Sequence, residues 1–109
     1  MQKRIAFSGA SLNDLRNVPP TARREIGFQL NKLQEGEQPD DWKPMQSIGP
    51  GVAEIRVRDT TGAYRTIYVA KFSEAIYVLH VFKKQGQKTA QPDIEVARQR
   101  YRELLRNKS

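Results

Sequence analysis

The chain has 109 residues, one histidine and nineteen lysines and arginines, so the search for chemistry starts with where that imidazole and those cations fall. His80 interrupts the apolar run AIYVLHVF, and Arg65 interrupts AYRTIY in the same way. Upstream, Glu54, Arg56 and Arg58 alternate with Ala53, Ile55 and Val57. In extended chain, residues two apart share a face. Arg56 and Arg58 therefore lie together, as do His80, Phe82 and Lys84. If Arg65 joins them on one sheet face, a cationic patch surrounds one imidazole. Such a patch suits RNA cleavage by transesterification. A base takes the 2′-hydroxyl proton, cations stabilise the charge on phosphorus, and an acid protonates the leaving 5′-oxygen. Histidine exchanges protons near neutrality, and the fork of guanidinium donors matches phosphate. Each residue also has a plainer reading. His80 can be a buried histidine bonded to backbone, the arginines can be solvent-facing strand residues, and Lys83-Lys84 can be edge lysines that discourage aggregation.

The elements that must position these residues are legible from periodicity. Gly51 to Lys84 holds nearly all the β-branched and aromatic residues and reads as three consecutive strands, near 52–58, 63–72 and 75–83. Asp59-Thr60-Thr61-Gly62 has hairpin-turn chemistry, and Ser73-Glu74 supplies the second turn. The first of these strands alternates as a half-buried strand does, whereas the other two are apolar at both parities, as strands covered on both faces are. A short strand is expected near 2–7. A short helix near 11–17 carries a capping-box pattern, Ser11 with Asp14. A second helix near 20–35 opens after Pro19-Pro20. Its apolar stripe is Ala22, Ile26, Leu30 and Leu33, which leaves Phe28 on the opposite face. Trp42 is expected to anchor the following proline-bearing connection onto the core. A last helix near 92–107 buries Ile94, Ala97, Tyr101, Leu104 and Leu105, with Arg98, Arg100, Arg102 and Arg106 largely outside that stripe. The order β-α-α-β-β-β-α gives an α+β class, a small and mainly antiparallel sheet of about four strands with flanking helices.

Composition removes other chemistries. There is no cysteine, hence no thiolate nucleophile or disulfide framework, and one histidine makes a zinc site a poor expectation. No phosphate-cradling glycine loop, dinucleotide fingerprint or serine elbow is present. Glu54 and Glu74 stand isolated, which gives paired-carboxylate hydrolysis no home. The net charge of +7 is uneven. Residues 1–51 carry seven basic and six acidic side chains, and residues 52–109 carry twelve and six. The excess on the sheet and tail favours a polyanionic partner, nucleic acid foremost. With no apolar leader and no run long enough to span a bilayer, the reading is one cytoplasmic domain over residues 1–109, with no membrane partner, metal or small-molecule cofactor.

The pieces E-I-R before a turn, G-x-Y-R-x-x-Y, and L-H-x-F-x-K followed by a basic, threonine-containing loop and an I-x-x-A-x-x-R helix resemble the RelE/HigB superfamily of toxins from type II toxin-antitoxin modules, in its phage-derived branch. The resemblance is close over about residues 45–105. It implies a compact sheet with packed helices and metal-independent cleavage of messenger RNA, usually in the ribosomal A site. It also implies a cognate antitoxin, a small helix-turn-helix protein. By position it matches Arg56, Arg65 and Lys84 to basic residues of the family and His80 to a histidine of this branch; His80, Arg65 and Lys84 are the catalytic candidates, and Arg56, Arg58, Lys83 and Lys88 are expected to hold phosphate. Two departures leave the identity of acid and base open: Glu54 stands where RelE has a basic residue, and no tyrosine sits clearly in the loop before the last helix. The fold also hosts other functions. The alternatives are a non-catalytic toxin of the ParE type acting on gyrase, and a basic phage-derived nucleic-acid-binding adaptor.

Overall fold

The computed structural model describes residues 2–108. Its elements are Arg4–Phe7 (β1), Ser11–Arg16 (α1), Pro20–Gln34 (α2), Trp42–Pro44 (β2), Val52–Asp59 (β3), Gly62–Val69 (β4), Ala75–Lys83 (β5) and Gln91–Lys108 (α3). The strands form one sheet in the order β1-β5-β4-β3-β2. β1 runs parallel to β5, and the other pairs are antiparallel. The three strands read from the sequence are consecutive neighbours, as expected. Asp59 and Gly62 close the first hairpin, with Gly62 at φ 146 and Asp59 Oδ1 accepting from Thr61 N and Oγ1.

Both faces of the sheet are covered, which explains why β4 and β5 are apolar at both parities. On one face Ala22, Ile26 and Leu30 of α2 pack against Ile55, Val57, Tyr68, Ile76 and Val78. On the other, Ala97, Tyr101 and Leu104 of α3 pack against Val52, Ile67, Val69 and Leu79. Proline at the first position of α2 suits a helix start, where its missing N–H has no partner to lose. α3 covers only the half of its face nearer Val69 and Tyr77. The half carrying the charged residues of β3 and β4 stays clear of it.

One irregularity matters for the site. Ile67 pairs with His80 whereas Tyr68 pairs with Val78, so Leu79 is an extra residue in β5. This β-bulge reverses the alternation: Ile76 and Val78 face α2, but His80 and Phe82 face the α3 side with Ile67 and Arg65.

Several expectations are corrected. The sheet has five strands, not about four. The extra one, β2, places Trp42 opposite Ile55 at the sheet edge, where Trp42 is 38% exposed and does not anchor the core. Met45 and Ile48 are buried in the core instead. β4 ends at Val69, short of Phe72. Ser11 makes no cap; its hydroxyl donates to Val78 O and ties α1 to β5. Leu105 falls one position off the α3 stripe and is exposed. Arg100 turns inward, donating to Leu79 O at 2.8 Å.

The end of α3 is fastened by charge. Lys108, the Glu74 backbone amide and the Tyr77 hydroxyl hold the Glu74 carboxyl down to about 2, from an ordinary 4.5. A lowered folded-state value means the contribution is complete above the unfolded value and is lost as pH falls through the folded one. The stability gap between the native chain and Glu74→Gln should therefore be constant from pH 7 to about pH 5 and should close towards pH 2. Urea midpoints across that range check this; a gap that widens in acid would contradict it.

Candidate basic site on the uncovered half of the sheet

Alternation along β3 puts Glu54, Arg56 and Arg58 on the face opposite Ile55 and Val57, and register carries the pattern across. Arg56 stands directly opposite Arg65, and Arg65 directly opposite Phe82. Lys84, just past β5, is bound to this end of the sheet through its backbone N–H to Ala63 O at 2.8 Å. Arg56, Arg65, Phe82 and Lys84 thus share one surface, as their parity in the sequence implied.

Two arginines directly opposed across strands repel, and burial makes that worse. The feature that offsets it is Glu54. Its side chain is 1% exposed, with Oε1 at 3.4 Å from Arg65 Nε and 3.5 Å from Arg56 Nε. The Thr89 hydroxyl, in the loop before α3, donates to Glu54 Oε2 at 2.8 Å. Arg65 is buried, and its guanidinium also reaches Tyr64 O at 3.3 Å. Burial pulls Arg65 below its ordinary value and the Glu54 charge opposes the pull; an arginine stays protonated regardless. Lys84 is also drawn below its ordinary value, first by burial and then by the charges of Arg65 and Arg56. Among the described residues, Glu54 Oε1 and the Nε groups of Arg56 and Arg65 are buried without a hydrogen bond, close but not yet joined. A small cleft lined by Asp41, Arg56, Val57, Arg58 and Arg65 opens here.

The remaining candidates fall elsewhere. Lys83 pairs with Tyr64 and takes the opposite face, lining a separate cleft with Asp14, Asn17 and Tyr64. Lys88 is exposed in the loop between β5 and α3. His80 borders the basic surface behind Phe82, with the two rings stacked 4.8 Å apart, but it is only 8% exposed. Its Nε2 lies 2.8 Å from Asp93 Oδ1. Two participants were missed in the sequence. Glu54 was read as isolated although it shares the parity of Arg56, and Thr89 meets it only across 35 positions of chain. No group of three or more histidine, aspartate or glutamate side chains among the described residues is placed to hold a metal ion.

The fold that carries this site is of the RelE type. A mutant of the E. coli toxin RelE in the free state superposes with a TM-score of 0.67 at 19% identity, covering 95% of this chain and 99% of that one. The family model described as phage derived protein Gp49-like (DUF891) matches residues 13–102, and the chain belongs to that family, within the phage-derived branch that its motifs resembled. No curated protein matches the sequence. No helix among the described residues is long and apolar enough to cross a membrane.

Removing the Glu54 charge while keeping its shape leaves two crowded guanidiniums uncompensated. Glu54→Gln should cost on the order of 3–5 kcal/mol of stability, the usual range for breaking a buried pair, and adding Arg65→Met should recover part of it. Denaturant midpoints of the single and double variants check this. A neutral Glu54→Gln would mean that the carboxylate does not hold the arginines.

Proposed function

We propose that this protein is an mRNA endoribonuclease toxin of a type II toxin-antitoxin module, working in the cytoplasm at the ribosome by metal-independent transesterification. The Gp49-like family and the RelE-type fold support a toxin of such a module. The observation that carries the nuclease reading is the buried Glu54 carboxylate set between the cross-strand arginines 56 and 65 beside Lys84. Such a group presents fixed positive charge where a phosphorane would develop negative charge.

In this reading Arg56 and Arg58, at the cleft, hold the phosphates flanking the scissile bond. Arg65, buried and fixed by Glu54, adds its positive charge from beneath the surface. The Nε groups of Arg56 and Arg65 are buried and turned to Glu54, so the outer end of the half-exposed Arg56 guanidinium is what meets a phosphate oxygen. The 2′-hydroxyl gives its proton to solvent water as its oxygen attacks phosphorus, the bond to the 5′-oxygen breaks, and a 2′,3′-cyclic phosphate and a 5′-hydroxyl result. Lys84 is held below its ordinary value by burial and by Arg65 and Arg56, and unlike an arginine it can release its proton, which suits it to donate to the leaving oxygen. Lys88, on the exposed loop, adds to the electrostatic attraction of the RNA.

The expected partner is a small helix-turn-helix antitoxin. Phe28 on the outer face of α2 is 54% exposed, and Arg102 lies on the exposed side of α3; a partner with acidic and apolar residues would cover both. That complex should weaken with added salt, because exposed charge pairs are screened over about 8 Å at physiological ionic strength. Titration of the isolated pair at two salt concentrations checks this, and a salt-insensitive complex that leaves Phe28 and Arg102 accessible would contradict it.

The nuclease reading is tested by expressing the native chain, Lys84→Ala and Arg56→Ala in bacteria while following growth and the 5′ ends of transcripts. Lys84→Ala should lower the cleavage rate by a factor of about 100 to 10,000. Arg56→Ala should weaken RNA binding and reduce its salt slope by about one. Growth arrest by the native chain without new transcript ends would replace the nuclease with a ParE-like mode of action. Equal cleavage by Lys84→Ala would remove Lys84 from the chemistry.

A further inference from the structure

His80 sits in a polar node that joins three elements. Its Nε2 lies 2.8 Å from Asp93 Oδ1 in the first turn of α3. A carboxylate only accepts, so Nε2 carries a proton and donates it to Asp93. Arg100 Nη1 of α3 lies 3.4 Å from Nδ1. The same Arg100 nitrogen donates to Leu79 O at 2.8 Å and to Asp14 Oδ2 of α1 at 3.1 Å. Asp14 Oδ2 itself lies 3.5 Å from Nδ1. Gly9, at φ +55, makes room for that guanidinium, since a Cβ there would stand 2.9 Å from Arg100 Nε. With Nε2 bound to Asp93, Nδ1 enclosed by Arg100 and Asp14, and one ring face on Phe82, the buried imidazole turns no nitrogen outward to a 2′-hydroxyl.

What the node does control is the loop that reaches the basic surface. Between β5 and α3 the chain is fastened at three points. Lys84 Nζ donates to Gln87 O, the Thr89 hydroxyl donates to Glu54, and Asp93 is held by His80. Asp93 N and Ile94 N both donate to Ala90 O, so the turn that presents Thr89 is continuous with the turn that His80 grips. Loosening Asp93 therefore loosens the hydroxyl that satisfies Glu54, and with it the carboxylate that sets Arg56 and Arg65.

We propose that His80 is a positioning residue that clamps the first turn of α3 onto β5, and so holds Thr89 on Glu54, rather than a group that exchanges a proton with RNA. The kinetic half of the test rests on the nuclease reading above; the structural half does not. Backbone hydrogen exchange is measured on the full chain for native protein, His80→Ala, His80→Gln and Asp93→Ala. Glutamine keeps a donor able to reach Asp93 but cannot titrate. The amides of Asp93 and Ile94, which donate to Ala90 O, should exchange about tenfold or more faster in His80→Ala and Asp93→Ala, with the β3-β4 hairpin unchanged, and should stay protected in His80→Gln. If the native chain cleaves RNA, kcat should fall together in the two alanine variants, with KM less affected. His80→Gln should keep most of the rate and the shape of the pH profile. Protection of Asp93 and Ile94 in His80→Ala equal to native would overturn the clamp. So would a His80→Gln chain with a protected loop but no cleavage and a lost limb in its pH profile. A native chain that does not cleave, with the exchange pattern as expected, removes the nuclease reading and leaves the clamp standing.

Discussion

One buried carboxylate sets the terms for the charged half of the sheet. Arg56 and Arg65 are opposed across adjacent antiparallel strands, an arrangement that is unfavourable on its own and more so with Arg65 nearly sealed from water. Glu54, within 3.5 Å of both Nε atoms, makes the pair tenable. The carboxylate in turn loses its own hydration and depends on Thr89, a residue of the loop before α3. A surface built from β3 and β4 is thereby tied to the placement of a loop and a helix far along the chain. Burial, and then the same arginines, hold Lys84 below its ordinary value.

The geometry around this constraint decides what is left open. α3 begins at Gln91 and spends its apolar stripe on Val52, Ile67, Val69 and Leu79, which leaves the arginine-bearing end of the face without a helix over it. The bulge at Leu79 turns His80 and Phe82 onto this side of β5; without it, alternation from Val78 would send both under α1 and α2. Phe82 then stands opposite Arg65 with His80 stacked behind it. The result is a layered sheet with one cationic corner that no helix covers, its buried Glu54 and Arg65 lying beneath the more exposed Arg56, Arg58 and Lys84.

Much of this was legible in the sequence because it depends on local period. Alternation from Val52 to Arg58 gave β3 and the common face of its arginines, and the Asp-Thr-Thr-Gly turn gave the hairpin that opposes Arg56 to Arg65. Parity also separates Lys83 from Lys84, although the adjacent pair drew both into one patch. What local period could not give was non-local. β2 is three residues long and contains a proline, and it becomes a strand only by pairing with Ala53 to Ile55. Glu54 looked isolated because its partners are an arginine on another strand and a threonine on a distant loop. Arg100 read as an outer-face residue because nothing in the helix stripe announces that Gly9 clears a path for it to Leu79 O. His80 drew attention as the lone imidazole, and its buried position follows from Asp93 and Arg100, which periodicity alone does not bring to it.

The central claim is that the Glu54-ordered cations act on a phosphodiester by way of its 2′-hydroxyl. Its most direct test is the chemistry of the product ends, read by mass spectrometry on a short RNA presented in the ribosomal A site and on the same RNA carrying a single 2′-deoxy substitution at the cut position. The account predicts a 2′,3′-cyclic phosphate and a 5′-hydroxyl from the first, and no cut at the substituted position in the second. Products ending in a 3′-hydroxyl and a 5′-phosphate, or cleavage that ignores the missing 2′-hydroxyl, would contradict it.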